Sequence, residues 1–112
     1  MTFLESVLAL NLLPGIGPIR VRRLIQHFGG AEGVLRAPQN KLTAVSGIGS
    51  EIASMIASWE DHVDLQGELA SIKSRGITLL TPEDSAWPPP FHHLPDAPLL
   101  LYVWGNVLEN DS

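Results

Sequence analysis

The sequence predicts a mainly α-helical fold: a small tandem helix–hairpin–helix bundle, followed by a proline-rich connector and two short strands. The first observation is an internal repeat. Leu-Pro-Gly-Ile-Gly-Pro at residues 13–18 and Val-Ser-Gly-Ile-Gly-Ser at residues 45–50 lie 32 positions apart, and each precedes a run with helical periodicity. The second observation is a cluster of six prolines from Pro82 to Pro98, with a short apolar run on either side.

Clear signals mark the two helices around the first repeat. Thr2, followed by Glu5 three residues later, is a capping box and predicts a helix start. Pro14 ends this helix, Pro18 suits the first turn of the next one, and Gly29 closes that second helix. The apolar positions expected to face the core are Leu4, Val7, Leu8 and Leu12 in the first helix and Val21, Leu24, Ile25 and Phe28 in the second.

Weaker signals place the remaining elements. We expect a short helix at residues 31–36, a small helix capped by Asn40, and a longer helix after the second hairpin. Helical periodicity continues or restarts over residues 60–75 and ends at Gly76. The core-facing positions here are Ile52, Met55, Ile56, Trp59, Leu65, Leu69 and Ile72, and the strands are expected at Ile77–Leu80 and Leu99–Trp104.

The repeated glycines predict an anion site made from backbone. A tight turn between helices needs φ > 0, which glycine adopts without steric cost, and the isoleucine between the glycines fills the gap between the helices. The next helix begins with N–H groups that lack intrahelical partners, and these attract a nucleic-acid phosphate. The predicted contacts in the first hairpin and the helix after it are Gly15, Ile16, Gly17, Arg20 and Arg23. The second hairpin offers a weaker site, or a purely structural turn, at Gly47, Ile48, Gly49 and Ser50. The alternative for both hairpins is a compact connection between helices.

Charge is divided unevenly along the chain. The formal net charge is −5, but residues 1–50 carry five basic and two acidic residues, whereas residues 51–112 carry two basic and ten acidic ones. Any phosphate contact should therefore belong to the first half. Cysteine is absent, which excludes disulfides and thiolate zinc sites. The apolar run from Phe3 to Leu13 is too short to span a bilayer and lacks signal-peptide flanks, so we expect a cytoplasmic protein without membrane contact.

Signals for catalysis or for a cofactor are weak. The spacing Gly15-x-Gly17 fails as a dinucleotide fingerprint, because Arg20 stands at the third glycine position and a helix precedes it. Two acidic pairs and one histidine pair fall where helix ends and surface loops are expected. These pairs are Glu60-Asp61, Glu83-Asp84 and His92-His93. We expect no enzymatic activity, cofactor or metal. Among the tryptophans, Trp87 is the one expected to be exposed and able to stack on a base.

The connector resembles a segment of a known family. The residues that carry the resemblance are Asp84, Trp87-Pro88, Phe91, Leu94, Asp96, Pro98, Leu101-Tyr102 and Gly105-Asn106. They are similar to the lead-in to the Rossmann-like domain of the DNA-processing protein A family (DprA, also called Smf), which reads Asp, two residues, Tyr-Pro, a leucine, Asp-x-Pro and Leu-Tyr-x-x-Gly. Trp87 and Phe91 replace the usual Tyr and Leu. The helices before the connector resemble the family's sterile-alpha-motif-like (SAM-like) N-terminal domain.

The resemblance implies an N-terminal fragment of such a protein, with a SAM-like helical domain at residues 1–76 and a strand–connector–strand lead-in at residues 77–112. It implies a parent protein that handles single-stranded DNA and delivers RecA during natural transformation. This part would then be an accessory module for DNA contact or protein interaction. The family's DNA pocket belongs to the Rossmann-like domain, so none of its residues is carried over to this sequence.

Three classes of function follow from the residues and the resemblance. The first is a protein-interaction domain that meets RecA or a regulatory protein, which the net charge of −5 favours for this part of the chain. The second is a DNA-contacting module, including the alternative of a stand-alone helix–hairpin–helix module of a repair protein. The third, a nuclease-type enzyme, needs a carboxylate or metal cluster that the sequence does not display.

Overall fold

The computed structural model describes residues 1–104, which form seven α-helices, two β-strands and one 3-10 helix. The helices are α1 (Phe3–Leu12), α2 (Gly17–Phe28), α3 (Ala31–Arg36), α4 (Gln39–Leu42), α5 (Ser50–Ala57), α6 (Trp59–His62) and α7 (Leu65–Ser74). The strands are β1 (Ile77–Leu80) and β2 (Leu101–Trp104), and the 3-10 helix spans Pro89–His93. The prediction of a mainly helical fold with two short strands is confirmed.

The chain divides into two compact units. The first is Met1–Asp64 and holds α1 to α6, whereas the second begins at Leu65 and holds α7 and the two strands. Helix α7 packs against β1, and Gly76, with φ +67, turns the chain between them. The predicted division after residue 76 stays a prediction, but α7 groups with the strands in the structure.

The first unit is built around the helices that flank the first hairpin. Helix α1 packs against α2 and α3, α2 packs against α3, and α3 packs against α5. The predicted capping box is present: the Thr2 N–H donates to Glu5 Oε1 at 2.8 Å, and the Glu5 N–H donates to Thr2 Oγ1 at 3.1 Å. The largest fully buried apolar side chains are Leu8, Leu10, Leu24, Val34, Leu42 and Ile56.

Helix α1 is buried more broadly than a single stripe. All five residues from Ser6 to Leu10 are buried, while the predicted stripe positions Leu4 and Leu12 are half-buried. Ser6 is accommodated in the core because its Oγ donates to the Thr2 carbonyl at 3.0 Å. The helix is therefore enclosed by its neighbours on most sides.

Two local predictions in the first unit need correction. The predicted Asn40 cap is wrong: α4 begins at Gln39 with Pro38 as its N-cap, and Asn40 lies inside the helix, where its carbonyl accepts from Thr43 Oγ1 at 3.1 Å. Pro38 has φ −72, a value that its ring enforces and that suits a helix start. Trp59 does not extend the α5 stripe, because α5 ends at Ala57 and Trp59 begins α6 as a half-buried residue.

In the second unit the two strands pair with each other. They are antiparallel, with Ile77 opposite Trp104 and Leu80 opposite Leu101. Tyr102 on β2 donates its hydroxyl hydrogen to Glu68 Oε2 on α7 at 2.7 Å, which ties the strand pair to the helix. The predicted strand start at Leu99 is two residues early, and the predicted stop at Gly105 lies outside the described residues.

The connector is a folded loop rather than an extended chain. The Thr81 N–H donates to Asp84 Oδ2 at 2.6 Å, and the Trp87 N–H donates to the Asp84 carbonyl at 3.1 Å. The ring of Trp87 meets that of Phe91 edge to face, with centroids 5.9 Å apart. The predicted exposure of Trp87 is wrong, since it is 2% exposed, and Trp104 at 63% is the exposed tryptophan.

We predict that Ile16→Ala lowers the free energy of unfolding by about 2–5 kcal/mol. Ile16 is 2% exposed, so the truncation leaves a cavity between the helices of the first hairpin. Ile19→Ala is the matched control, because Ile19 is 44% exposed and its loss should change stability by less than about 0.5 kcal/mol. Urea unfolding followed by circular dichroism measures both variants, and equal effects would contradict the buried position of Ile16.

Tyr102 should resist deprotonation. Burial, together with the hydrogen bond to the Glu68 carboxylate, raises the pKa of Tyr102 above its ordinary value. A raised folded-state pKa means that this contribution to stability is complete below about pH 10 and is lost as the pH rises towards the folded-state value. Tyr102 is the one tyrosine in the sequence, so its phenolate absorbance reports on it alone.

The expected titration therefore begins at higher pH than that of free tyrosine. Glu68→Gln should lower the midpoint, because it removes the negative charge while leaving the burial in place. A wild-type midpoint at the ordinary tyrosine value would contradict the contact.

Candidate nucleic-acid interface

Both hairpins turn on glycines with positive φ. The φ values are +79 at Gly15, +80 at Gly17 and +87 at Gly47, a region that side-chain-bearing residues rarely adopt. The fourth glycine, Gly49, has φ −81 and does not need to be glycine for this reason. Ile16 and Ile48 are buried at 2% and 5% exposure, as predicted for residues that fill the gap between two helices.

The helices that leave the hairpins begin without side-chain caps. Neither α2 nor α5 has a side-chain hydrogen bond at its N-cap. Pro18 in the first turn of α2 has no N–H, so the free donors there come from its neighbours. In α5 the acidic Glu51 stands in the first turn, where its negative charge interacts favourably with the helix dipole and opposes a phosphate. The local charge therefore favours an anion at the first hairpin over the second.

Two arginines of α2 reach across to the second hairpin. Arg20 Nε donates to the Gly47 carbonyl at 3.0 Å, and Arg20 Nη1 donates to the Ile16 carbonyl at 3.4 Å. Arg23 lies against the same glycine, because a Cβ built on Gly47 would come within 3.0 Å of Arg23 Nη1. The structure thus brings Arg20 and Arg23 together with residues of both hairpins.

The two guanidinium groups keep donors available for an anion. A guanidinium carries five N–H groups, and Arg20 uses two of them in the bonds to Gly47 and Ile16. Both arginines are exposed, whereas Arg22, on the flank of the same helix, is half-buried. Charge-assisted bonds from guanidinium groups to phosphate oxygens are among the strongest polar contacts that proteins make. Two guanidinium groups arranged in this way can hold a phosphate.

The other residues that the sequence offered for catalysis or metal binding are exposed or take part in the connector turn. The pairs Glu60-Asp61 and His92-His93 are exposed, and Asp84 is engaged in the connector turn through Thr81. Within residues 1–104, no three histidine, aspartate or glutamate side chains come together as a metal site would require. Across the same residues, no helix combines the length and apolar character needed to cross a membrane.

The bridging role of Arg20 is the feature that sequence reasoning missed. The sequence marked Arg20 and Arg23 as phosphate contacts, and Gly47 as a corner of the second hairpin. It contained no signal that the Gly47 carbonyl would accept a hydrogen bond from Arg20, 27 residues away. The 32-residue repeat could only indicate that two similar hairpins occur, not which side chains would join them.

The chain is similar in sequence to parts of several known proteins. It is 47% identical over 52 residues to UvrABC system protein C of Acinetobacter baumannii, and this match covers 46% of the chain and 9% of that protein. It is 28% identical over 105 residues to Protein Smf of Synechocystis sp., which covers 94% of the chain and 26% of that protein. It is 30% identical over 74 residues to DNA ligase of Halorubrum lacusprofundi, which covers 66% of the chain and 10% of that protein.

These matches cover only part of each relative. The chain spans about a tenth of the length of UvrABC system protein C and about a quarter of the length of Protein Smf. The similarity to Protein Smf extends over nearly all of the chain and supports the resemblance that the connector residues carry. No family model matches the chain, and no solved structure matches it.

Arg20→Ala should lower the free energy of unfolding by about 0.5–1.5 kcal/mol, because it removes the hydrogen bond to the Gly47 carbonyl. Arg36→Ala is the control: Arg36 is also exposed, and its 3.7 Å ion pair with Glu32 is a surface contact worth less than about 1 kcal/mol. Urea midpoints measured for the two variants decide the matter. An Arg20→Ala protein as stable as the wild type would show that the bridge to the second hairpin does not stabilise the fold.

Proposed function

We propose that this chain is an accessory module of a DNA-processing protein of the DprA/Smf type and that its first hairpin contacts the nucleic-acid backbone. The proposal is supported by the similarity to Protein Smf over 94% of the chain. The shorter similarities to UvrABC system protein C and to DNA ligase fit a shared helix–hairpin–helix module. In this proposal the module binds rather than catalyses.

The observation that carries the nucleic-acid contact is the convergence of Arg20 and Arg23 at Gly47. Both exposed cations belong to α2, a helix that begins without a side-chain cap. Residues 1–50, which hold both arginines, have a net charge of +3. A phosphate between these groups would gain both direct hydrogen bonds and a favourable local charge.

Protein interaction is the second candidate, and the charge of the remaining sequence favours it. Residues 51–112 carry a net charge of −8, which repels nucleic acid and suits a basic surface of a partner. In a DprA/Smf-type protein the partner would be RecA or a regulatory protein, and the parent protein would deliver RecA to single-stranded DNA during transformation. The first candidate binds a nucleic-acid backbone and the second binds a protein surface, so the partner that the chain binds distinguishes them. A third setting for the same phosphate contact is a stand-alone helix–hairpin–helix module of a cytoplasmic repair protein.

The nucleic-acid contact is tested by titrating labelled single-stranded and duplex DNA with the full chain at about 50 and 200 mM salt. If Arg20 and Arg23 each neutralise one phosphate, affinity should fall about tenfold between these two salt concentrations. The double variant Arg20→Ala/Arg23→Ala should bind more weakly at low salt and lose most of the salt dependence, because it lacks both counterion-releasing contacts.

The matched control is Lys73→Ala/Arg75→Ala. It also removes two positive charges, here from exposed positions at the end of α7, and should leave DNA affinity close to that of the wild type. Equal losses in both double variants would indicate a general charge effect rather than a site. Absence of DNA binding by the wild type, together with binding of RecA or of a regulatory protein, would leave the protein-interaction candidate.

A further inference from the structure

We propose that Gly47 is a positioning residue: contacts with the second hairpin hold the side chains of Arg20 and Arg23, which follow the first hairpin in α2, in place. The inference rests on the nucleic-acid contact proposed above and assigns the two hairpins different roles. The first hairpin supplies the cations, and the second supplies a carbonyl acceptor and a surface without a side chain.

The contacts at Gly47 carry this inference. Its carbonyl accepts from Arg20 Nε at 3.0 Å, and its Cα faces Arg23 so closely that an added Cβ would lie 3.0 Å from Nη1. The same Cβ would lie 4.0 Å from Arg20 Nε. Gly47 also has φ +87, so glycine is favoured here both by the backbone conformation and by the space that Arg23 occupies.

The repeat shows that this arrangement is one-sided. Gly15 is the equivalent of Gly47, 32 positions earlier, and a Cβ on Gly15 would meet no atom of the described residues within 4 Å. The equivalents of Arg20 and Arg23 in α5 are Ile52 and Met55, which are half-buried and uncharged. Arginine side chains therefore extend from α2 to the second hairpin. Within residues 1–104 no equivalent side chain reaches Gly15.

Holding the two arginines in advance favours binding. A long side chain that is free in solution loses rotamer entropy when it engages a ligand, and contacts made before binding reduce that loss. Release of the two side chains should weaken DNA binding by about threefold to tenfold. The total charge of the protein would be unchanged, so this effect is separable from simple electrostatic attraction.

Gly47→Asn tests the inference. Asparagine tolerates positive φ better than other side-chain-bearing residues, but its Cβ occupies the space taken by Arg23. Gly29→Asn is the control, since Gly29 has φ +80 at the end of α2 and a Cβ there would meet no atom of the described residues within 4 Å. Arg20→Lys is a second variant, which keeps the charge and Gly47 but removes the Nε donor.

The first readout needs no DNA. In nuclear magnetic resonance spectra of the free wild-type protein, the Nε–H signals of Arg20 and Arg23 should be rigid, and that of Arg20 should exchange with water more slowly than that of the exposed Arg75. In Gly47→Asn the Arg23 side chain should move away from position 47, whereas Arg20 should stay rigid because the carbonyl at position 47 is retained. Gly29→Asn should leave both side chains unchanged. Signals of Arg20 and Arg23 as mobile as that of Arg75 in the wild type would overturn the inference, whatever the DNA titrations give.

The second readout is DNA affinity under the conditions used above. Gly47→Asn and Arg20→Lys should each bind about threefold to tenfold more weakly than the wild type, and Gly29→Asn should match it. If Arg23 moves in Gly47→Asn while the affinity of this variant equals that of Gly29→Asn, the positioning role is wrong but the proposed phosphate contact stands. If the wild type binds no DNA, the proposed contact fails and the positioning role fails with it.

Discussion

The positive φ at the corners of the two hairpins is the constraint on which the first unit depends. Gly15, Gly17 and Gly47 adopt values that a side-chain-bearing residue would occupy only at a cost, and they let successive helices reverse direction within a few residues. Because the turns are so tight, Ile16 and Ile48 point into the core instead of towards solvent. The same turns leave the N-termini of α2 and α5 without side-chain caps. The packing of the two isoleucines and the uncapped helix starts thus accompany one backbone requirement.

The two copies of the tandem repeat differ in charge, and their backbones differ at the second glycine, which has φ +80 at Gly17 and φ −81 at Gly49. The helix after the first hairpin carries Arg20 and Arg23, and the helix after the second carries Glu51 in its first turn. The two hairpins therefore differ in local charge. The hydrogen bond from Arg20 to the Gly47 carbonyl joins the second hairpin to the basic helix that follows the first. This asymmetry is also why a chain of net charge −5 can contain a local basic site.

The second unit shows how a proline-rich segment can fold. Prolines restrict the backbone and remove donors, which favours extended chain and turns. Here Asp84 supplies acceptors for the turn, the indole of Trp87 is buried against Phe91, and the chain continues as a short 3-10 helix. Three of the residues that carry the resemblance to the DprA/Smf family, Asp84, Trp87 and Phe91, therefore organise the loop. Tyr102 and Glu68 then join the strand pair to α7.

The sequence by itself determined the local features of this protein, because their signals lie within a few residues. The capping box of Thr2 and Glu5, the end of α2 at Gly29 and the two buried isoleucines could all be predicted from spacing and residue type. The start of α4 could not be predicted in this way, since Pro38 occupies the N-cap position that the sequence assigned to Asn40. Trp87 was misjudged because its burial depends on the fold of the whole connector. The tertiary structure alone decided that Arg20 and Arg23 meet at Gly47, because contacts between residues more than 20 positions apart depend on how the helices pack and leave no periodic pattern in the sequence.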